Sequence, residues 1–432
     1  MMTASQNNND PQSRRQFIQH AAKAFLGVGA LPLLCQPTYA DSSTALNFGG
    51  AANSVIYIYL TGGMSHIDTF DTKPGTDVQG PVESIKTSAD GIRISQYFPK
   101  LAKQMHNVAI INSMNSTQGA HEQGQYYMHT SYFLRGTIQH PHLGAWSSNY
   151  LGKRNRLLPS NVKIGNGSDS LGAGFLESKH AAVPIGNPTD GLQNGSLPKG
   201  VSQVNFNKRM ARLRKMNRNF QSTYDTRETR AYSEMYDEAV RLMRSRDLNA
   251  FDLTKENAKT RAHYGDHRFG QACLLARRLV NHEIRFVEVN LGGWDTHDDN
   301  FERVSTNAAL LDDGLSALLQ DLDSQGTLNE TLVVVATEFG RTPTIQAERN
   351  GRNHYPQAFT CLLAGGGIKG GFRYGKTDRD GREVIENLVT VPDFNATIAK
   401  AMGLPIEKEA ISPSGRPFKI ADDGSPVREL FA

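Results

Sequence analysis

The sequence predicts an α/β protein with a mostly parallel sheet flanked by helices. Two observations predict it. Five stretches of strand length are apolar almost throughout, the pattern of strands buried on both faces. Stretches with helical spacing of apolar residues precede several of them, so strand and helix alternate along the chain. Composition agrees: 432 residues, 38% hydrophobic and 21% charged, describe a soluble globular chain long enough to bury a large core.

The chain opens on an address. Ser13-Arg14-Arg15-Gln16-Phe17-Ile18 is a twin-arginine pattern, Ala24 to Leu34 is an apolar run too short to span a bilayer, and Thr38-Tyr39-Ala40 offers a cleavage site. We read residues 1–40 as a twin-arginine signal peptide and expect a periplasmic or secreted product. The alternative is an amphipathic first helix of the fold. Leu34 before Cys35 is too large for a lipoprotein signal. The mature chain keeps 44 of the 47 Lys+Arg and 42 of the 43 Asp+Glu, a net charge of +2. So small an excess gives no reason to expect nucleic acid. No second run has the length of a membrane span, so no stable membrane anchor is expected. The remaining cysteines, Cys273 and Cys361, sit in apolar stretches and read as buried thiols rather than a bridge.

Residues 41–432 read as a single α/β domain. Its strands are Val55 to Leu60, Asn107 to Ile111, Ile284 to Val289, Leu332 to Ala336 and Phe359 to Leu363. Helices are expected over Tyr97 to Met105, Phe269 to Val280 and Ala308 to Leu322, ahead of the second, third and fourth strands. A loop-rich and helical insertion is expected at about 145–260: residues 145–205 are rich in Gly, Asn, Ser and Pro, and Asn207 to Leu248 is helical and charged. The cluster Lys208, Arg209, Arg212, Arg214, Lys215 and Arg218 either binds an anion or partner, or is a solvated helix face balanced by Asp225, Glu228, Glu234, Asp237 and Glu238.

Ligand-type residues follow four of the five strands directly. These segments are Thr61 to Asp71, Asn112 to Glu122, Gly292 to Asp299 and Thr337 to Pro343. Parallel sheets bind ligands beyond the carboxyl ends of their strands, so co-directional strands would gather these segments at one edge. Asp68, Asp295, His297, Glu338 and His354 are the candidate metal ligands, a mixed oxygen and nitrogen set suited to zinc or manganese, with an oxygen-rich subset suited to calcium. Asp298 and Asp299 read as caps of the following helix. Arg341 either grips a phosphate or sulfate or pairs with a neighbouring acid. His121 lies near a predicted helix N-terminus, a position for a catalytic or anion-contacting group.

These motifs carry a resemblance. Gly62-Gly63-Met64-Ser65-His66-Ile67-Asp68-Thr69-Phe70-Asp71, Gly293-Trp294-Asp295-Thr296-His297, Thr337-Glu338-Phe339-Gly340-Arg341-Thr342-Pro343 and Gly351-Arg352-Asn353-His354 resemble domain-of-unknown-function family 1501, grouped with sulfatases in the alkaline phosphatase superfamily. The likeness runs from about residue 50 to about 405, and Val391 to Gly403 is similar to the late helix of sulfatases. It implies an alkaline phosphatase/sulfatase-like fold and metal-dependent hydrolysis of a phosphate or sulfate ester, small or polymer-linked. It places His121 at the nucleophile position, where no Cys or Ser stands, and Glu338-Phe339 where the superfamily has Asp-His. His354 matches a later metal-binding His, and Asp295 with His297 matches another metal pair at shorter spacing, so one of two metals is expected to be missing.

The leading expectation is an exported hydrolase that uses a divalent metal. His121 would be nucleophile or acid/base, Thr117 and Ser116 the hydroxyl alternatives, and Arg341 the stabiliser of transition-state charge. The alternative is a non-catalytic periplasmic binding or assembly protein that retains the fold. A redox role finds neither Cys-x-x-Cys-His nor a dinucleotide fingerprint. The export machinery is the one macromolecular partner implied.

Overall fold

The computed structural model describes residues 50–165, 172–193, 195, 197, 200–224, 237 and 239–432; the twin-arginine segment and Cys35 lie outside them. Among these residues a nine-stranded sheet organises the chain. Its strands are β1 (Ser54–Leu60), β2 (Val108–Asn115), β3 (Asn161–Ile164), β4 (Val183–Ile185), β5 (Phe286–Leu291), β6 (Thr331–Ala336), β7 (Phe359–Ala364), β8 (Phe372–Tyr374) and β9 (Val389–Thr390). The spatial order is β8-β2-β7-β6-β1-β5-β3-β4, with β9 also paired to β2. All pairs are parallel except those of β7, which runs antiparallel to both β2 and β6.

The sheet is thus mostly parallel, and the four strands that precede the ligand-type segments point the same way. The fifth expected strand, β7, is the exception. A parallel neighbour needs a crossover, usually a helix. The β6–β7 connection carries instead a short antiparallel ribbon, Gly340–Arg341 against His354–Tyr355, and turns the chain back. Residues 145–205, expected to be loop-rich, carry the end of a helix and strands β3 and β4, which extend the parallel sheet beside β5. Their strands are four and three residues long, too short to show a period.

Six helices matter below: α1 (His121–Thr130), α2 (Leu143–Leu151), α3 (Gln203–Thr223), α4 (Arg268–Asn281), α5 (Asn300–Ser324) and α6 (Val391–Ala401). The expected helix at Tyr97 to Met105 is a 3-10 turn over Leu101–Asn107. Alternation along β1 splits the core in two. Ile56, Ile58 and Leu60 face a cluster with Phe269, Leu274 and Leu279 of α4 and Leu311, Leu315 and Leu318 of α5. Val55, Tyr57 and Tyr59 face Met128 of α1, Leu143 and Trp146 of α2, and Phe394 and Ile398 of α6. Burying each such side chain contributes about 1.5–3 kcal/mol. The product is a helix–sheet–helix sandwich. Helix α6 starts on a capping box in which Thr390 and Asp393 bond each other's backbone N–H. Cys273 and Cys361 are buried and unbridged.

Candidate metal centre

The site assembles at the carboxyl ends of β1, β2, β5 and β6. His121 opens α1, six residues beyond β2. Asp295 and His297 lie in the loop after β5, and Glu338 follows β6 by two residues. His354 stands on the ribbon, opposite Arg341. Asp295 and Glu338, distant in sequence, meet the same imidazole: His121 Nδ1 lies 2.9 Å from Glu338 Oε1, and His121 Nε2 lies 3.4 Å from Asp295 Oδ2.

Three histidines are oriented alike. His121 Nδ1 faces the Glu338 carboxylate at 2.9 Å, His354 Nδ1 faces the Gly119 carbonyl at 2.8 Å, and His297 Nδ1 faces Asn353 Oδ1 at 3.0 Å. Each partner is an oxygen acceptor, so the hydrogen-bond network assigns a hydrogen to each Nδ1 and a lone pair to each Nε2. The Nε2 atoms then converge. Those of His297 and His354 are 2.9 Å apart, and Asp295 Oδ1 lies 3.2 Å from the first and 3.5 Å from the second. His121 Nε2 is buried with no hydrogen-bond partner. Two lone pairs at 2.9 Å repel unless a proton or a cation lies between them.

The donor set fits a metal. One ligand atom each from His121, Asp295 and His354 lie within 4.8 Å of one another. A tetrahedral zinc with arms of roughly 2.1 Å has donors separated by roughly 3.4 Å. Within this set His121 Nε2 lies 3.4 Å from Asp295 Oδ2 and His354 Nε2 3.5 Å from Asp295 Oδ1, close to that spacing though through different carboxylate oxygens. An imidazole with its far nitrogen fixed by a carboxylate is the usual support of a metal-ligating histidine. The nitrogen-rich donors suit zinc or manganese better than calcium.

Around this cluster the supports are buried. Glu338 is fully buried and accepts from Gly62 N at 2.8 Å and from Tyr59 Oη at 3.1 Å as well as from His121. Its oxygens are taken, so it orients His121 rather than joining the donors. Arg341 is also fully buried. It donates to the carbonyls of Gly62, Gly63 and Arg352 and to Asp295 Oδ1 at 2.6 Å. Arg341 thus makes the ion pair with a neighbouring acid, Asp295. Phe339 packs on the rings of His121 and His354 at centroid distances of 5.1 and 4.6 Å. Gly62, at φ 121°, admits the close approach of the Asp295 loop: a Cβ there would stand 2.3 Å from Asp295 N. Gly351 does the same on the other side, where a Cβ would come within 1.7 Å of the His297 carbonyl oxygen.

The electrostatics follow from these contacts. The hydrogen bond to Glu338 raises the His121 pKa against the opposing effect of burial. Burial lowers that of His354. Burial would raise the Asp295 carboxyl, but the Arg341 bond and charge, with His121 and His297 nearby, outweigh it and hold the group below its ordinary value.

Three expected residues stand apart. Asp68 is fully buried and saturated: Arg352 Nε and Nη2 bind it at 2.8 and 2.9 Å, Ser65 Oγ at 2.6 Å and Asn300 Nδ2 at 2.8 Å. It braces the loop after β1 against the ribbon and offers no oxygen to the cluster. Thr117 is exposed on the loop before α1, its hydroxyl accepting from Gln118 at 3.0 Å. Ser116 is buried and accepts from Gln118 N at 3.1 Å. Neither hydroxyl contacts the histidines. Sequence reasoning missed Tyr59, Asn353 and the Gly119 carbonyl. A tyrosine on a buried strand, and the Asn adjoining His354, were the available signals.

The family model described as "Protein of unknown function (DUF1501)" matches residues 52–431. No curated protein matches the sequence. Similar solved structures include the lipoteichoic acid synthase LtaP from Listeria monocytogenes, with 10% identity, 84% of this chain and 76% of that one covered, and a TM-score of 0.37. The PsFucS1 sulfatase from Pseudoalteromonas sp. has 12% identity, 98% and 80% coverage, and a TM-score of 0.39. The alkaline phosphatase from the Antarctic bacterium TAB5 has 12% identity, 73% and 92% coverage, and a TM-score of 0.33.

Proposed function

The chain belongs to the DUF1501 family, and from that premise we propose that it is an exported, divalent-metal-dependent hydrolase of a phosphate or sulfate ester. The observation that carries the metal is the convergence of His121, Asp295 and His354, with His297 adjoining, each imidazole presenting Nε2 because its Nδ1 is engaged. The ester class rests on the resemblance of the strand-end motifs to the sulfatase-like group. Export rests on the arginine pair and apolar run of residues 1–40.

A metal bound there would supply Lewis acidity toward the ester oxygen and toward water. The chain's own residues do the rest. Glu338 fixes the His121 ring, and Arg341 keeps Asp295 ionised and in place. No hydroxyl or thiol among the described residues contacts the histidines, so water is the nucleophile. His297, held at Nδ1 by Asn353, accepts the proton that water loses as its oxygen bonds phosphorus or sulfur and the ester oxygen departs.

Metal analysis of protein purified from the exported fraction, followed by a panel of phosphate and sulfate monoesters and diesters with zinc, manganese and calcium, tests this. We expect near-stoichiometric zinc or manganese, and turnover that is lost in folded His121→Ala and Asp295→Ala variants. Sub-stoichiometric metal that does not rise on reconstitution would overturn the reading. The missing hydroxyl or thiol nucleophile favours a second reading, a binding or assembly protein. Full metal occupancy with no turnover across the panel would select it.

A further inference from the structure

We propose that helix α3 is a docking element that seats the protein on the surface of an anionic phospholipid bilayer. This inference is independent of the metal centre. The sequence of α3, QVNFNKRMARLRKMNRNFQST, contains Lys208, Arg209, Arg212, Arg214, Lys215 and Arg218 and no acidic residue. Residues 203–244 hold ten Lys/Arg against five Asp/Glu, a net charge of +5, which exceeds the +4 of the entire chain. The positive charge of this protein is therefore local. Among the described residues, Arg214 is the only cation of α3 with a carboxylate within 4 Å, that of Asp237 at 2.8 Å.

The helix is attached by one narrow side. Met210 is its only buried residue, and Phe206, Leu213, Asn217 and Gln221 are half-buried at the same helical spacing. The opposite side is exposed over a length of about 30 Å. The flank beside Leu213 carries apolar side chains that a solvated face does not need. Met216 is 68% exposed and Phe220 55%, four residues apart on this flank, and Tyr224, the C-cap, is 56% exposed. The Phe220 and Tyr224 rings pack at 4.8 Å between centroids, tilted by 38°. Arg209 and Arg212 lie beside these side chains on the helix surface, and Lys215 lies on the adjoining exposed side.

A cationic face alone would suit any polyanion. Exposed thioether and aromatic side chains among the cations select a lipid surface, because only there do the apolar groups leave water while the cations meet phosphate and their stems snorkel. Each basic side chain near an anionic leaflet raises partitioning roughly fivefold.

The mature full-length protein is mixed with vesicles of phosphatidylcholine alone and of equal parts phosphatidylcholine and phosphatidylglycerol, then sedimented at low and high salt. We expect co-sedimentation with the anionic vesicles only, reversed by salt. The triple variant Arg209→Gln, Arg212→Gln, Lys215→Gln should lower partitioning on the order of a hundredfold. All three side chains are exposed, and an unchanged circular dichroism spectrum excludes unfolding. Phe220→Trp reports insertion, because Trp146 and Trp294 are already buried. Its emission should shift to the blue on anionic vesicles. Failure to sediment with them, binding unaltered by the triple variant, or binding to heparin or nucleic acid without binding to vesicles would each overturn the proposal.

Discussion

Replacing Asp68 with asparagine separates two jobs for one carboxylate. Both Asp68 and Arg352 are 0% exposed, joined by two bonds of 2.8 and 2.9 Å. Asparagine keeps the shape but removes the charge, and its amide turns N–H groups toward N–H donors. Leaving a buried guanidinium without its counter-charge costs about 3–5 kcal/mol. That is a large share of the roughly 5–15 kcal/mol that holds a typical domain folded. Urea unfolding followed by far-UV circular dichroism and by tryptophan fluorescence measures the loss. Metal content per folded molecule should stay at the wild-type value, because Asp68 contacts Ser65, Asn300 and Arg352 and none of the clustered histidines. A variant of undiminished stability that had lost its metal would refute the reasoning and make Asp68 a ligand.

Other outcomes follow from the same contacts. Glu338→Gln should lower metal affinity by roughly 10–100-fold, read by chelator competition, since the His121 ring loses the carboxylate that orients it; unchanged affinity would contradict the supporting role. Burial holds His180 neutral, with its pKa pushed down to about 4. The unfolded chain takes up that proton below about pH 6.5. Stability should therefore be full above about 6.5 and fall by about 3 kcal/mol as the pH drops toward 4, and urea midpoints of His180→Asn should show a flatter pH dependence over that window. Burial raises the thiol pKa of both Cys273 and Cys361. A thiol reagent should leave the native mature protein untouched and modify two groups after denaturation; a third reactive group would show that Cys35, and with it the leader, had been retained.

What the sequence by itself determined is the part of the structure written locally. Apolar runs such as Val55 to Leu60 and Leu332 to Ala336 make strands because a five- or six-residue β-branched apolar segment, too short for a helix, is buried on both faces of a sheet, and both are observed. The period of Leu311, Leu315 and Leu318 makes α5 and sets its buried face. Polar residues after four co-directional strands name the rim where a site must form. The division of labour within that rim was decided by the tertiary structure alone. Asp68, Glu338 and Asp295 are the same kind of group in sequence. Asp68 became a buried brace because Arg352 reaches it from a loop 284 residues away. Glu338 became a support because Tyr59, Gly62 and His121 fill its oxygens. Asp295 kept its carboxylate half exposed beside the histidines. The reversal of β7 belongs to the same class, fixed by a ribbon in place of a crossover helix. A side chain's chemistry is set by the partners that satisfy it, and here those partners come from distant parts of the chain.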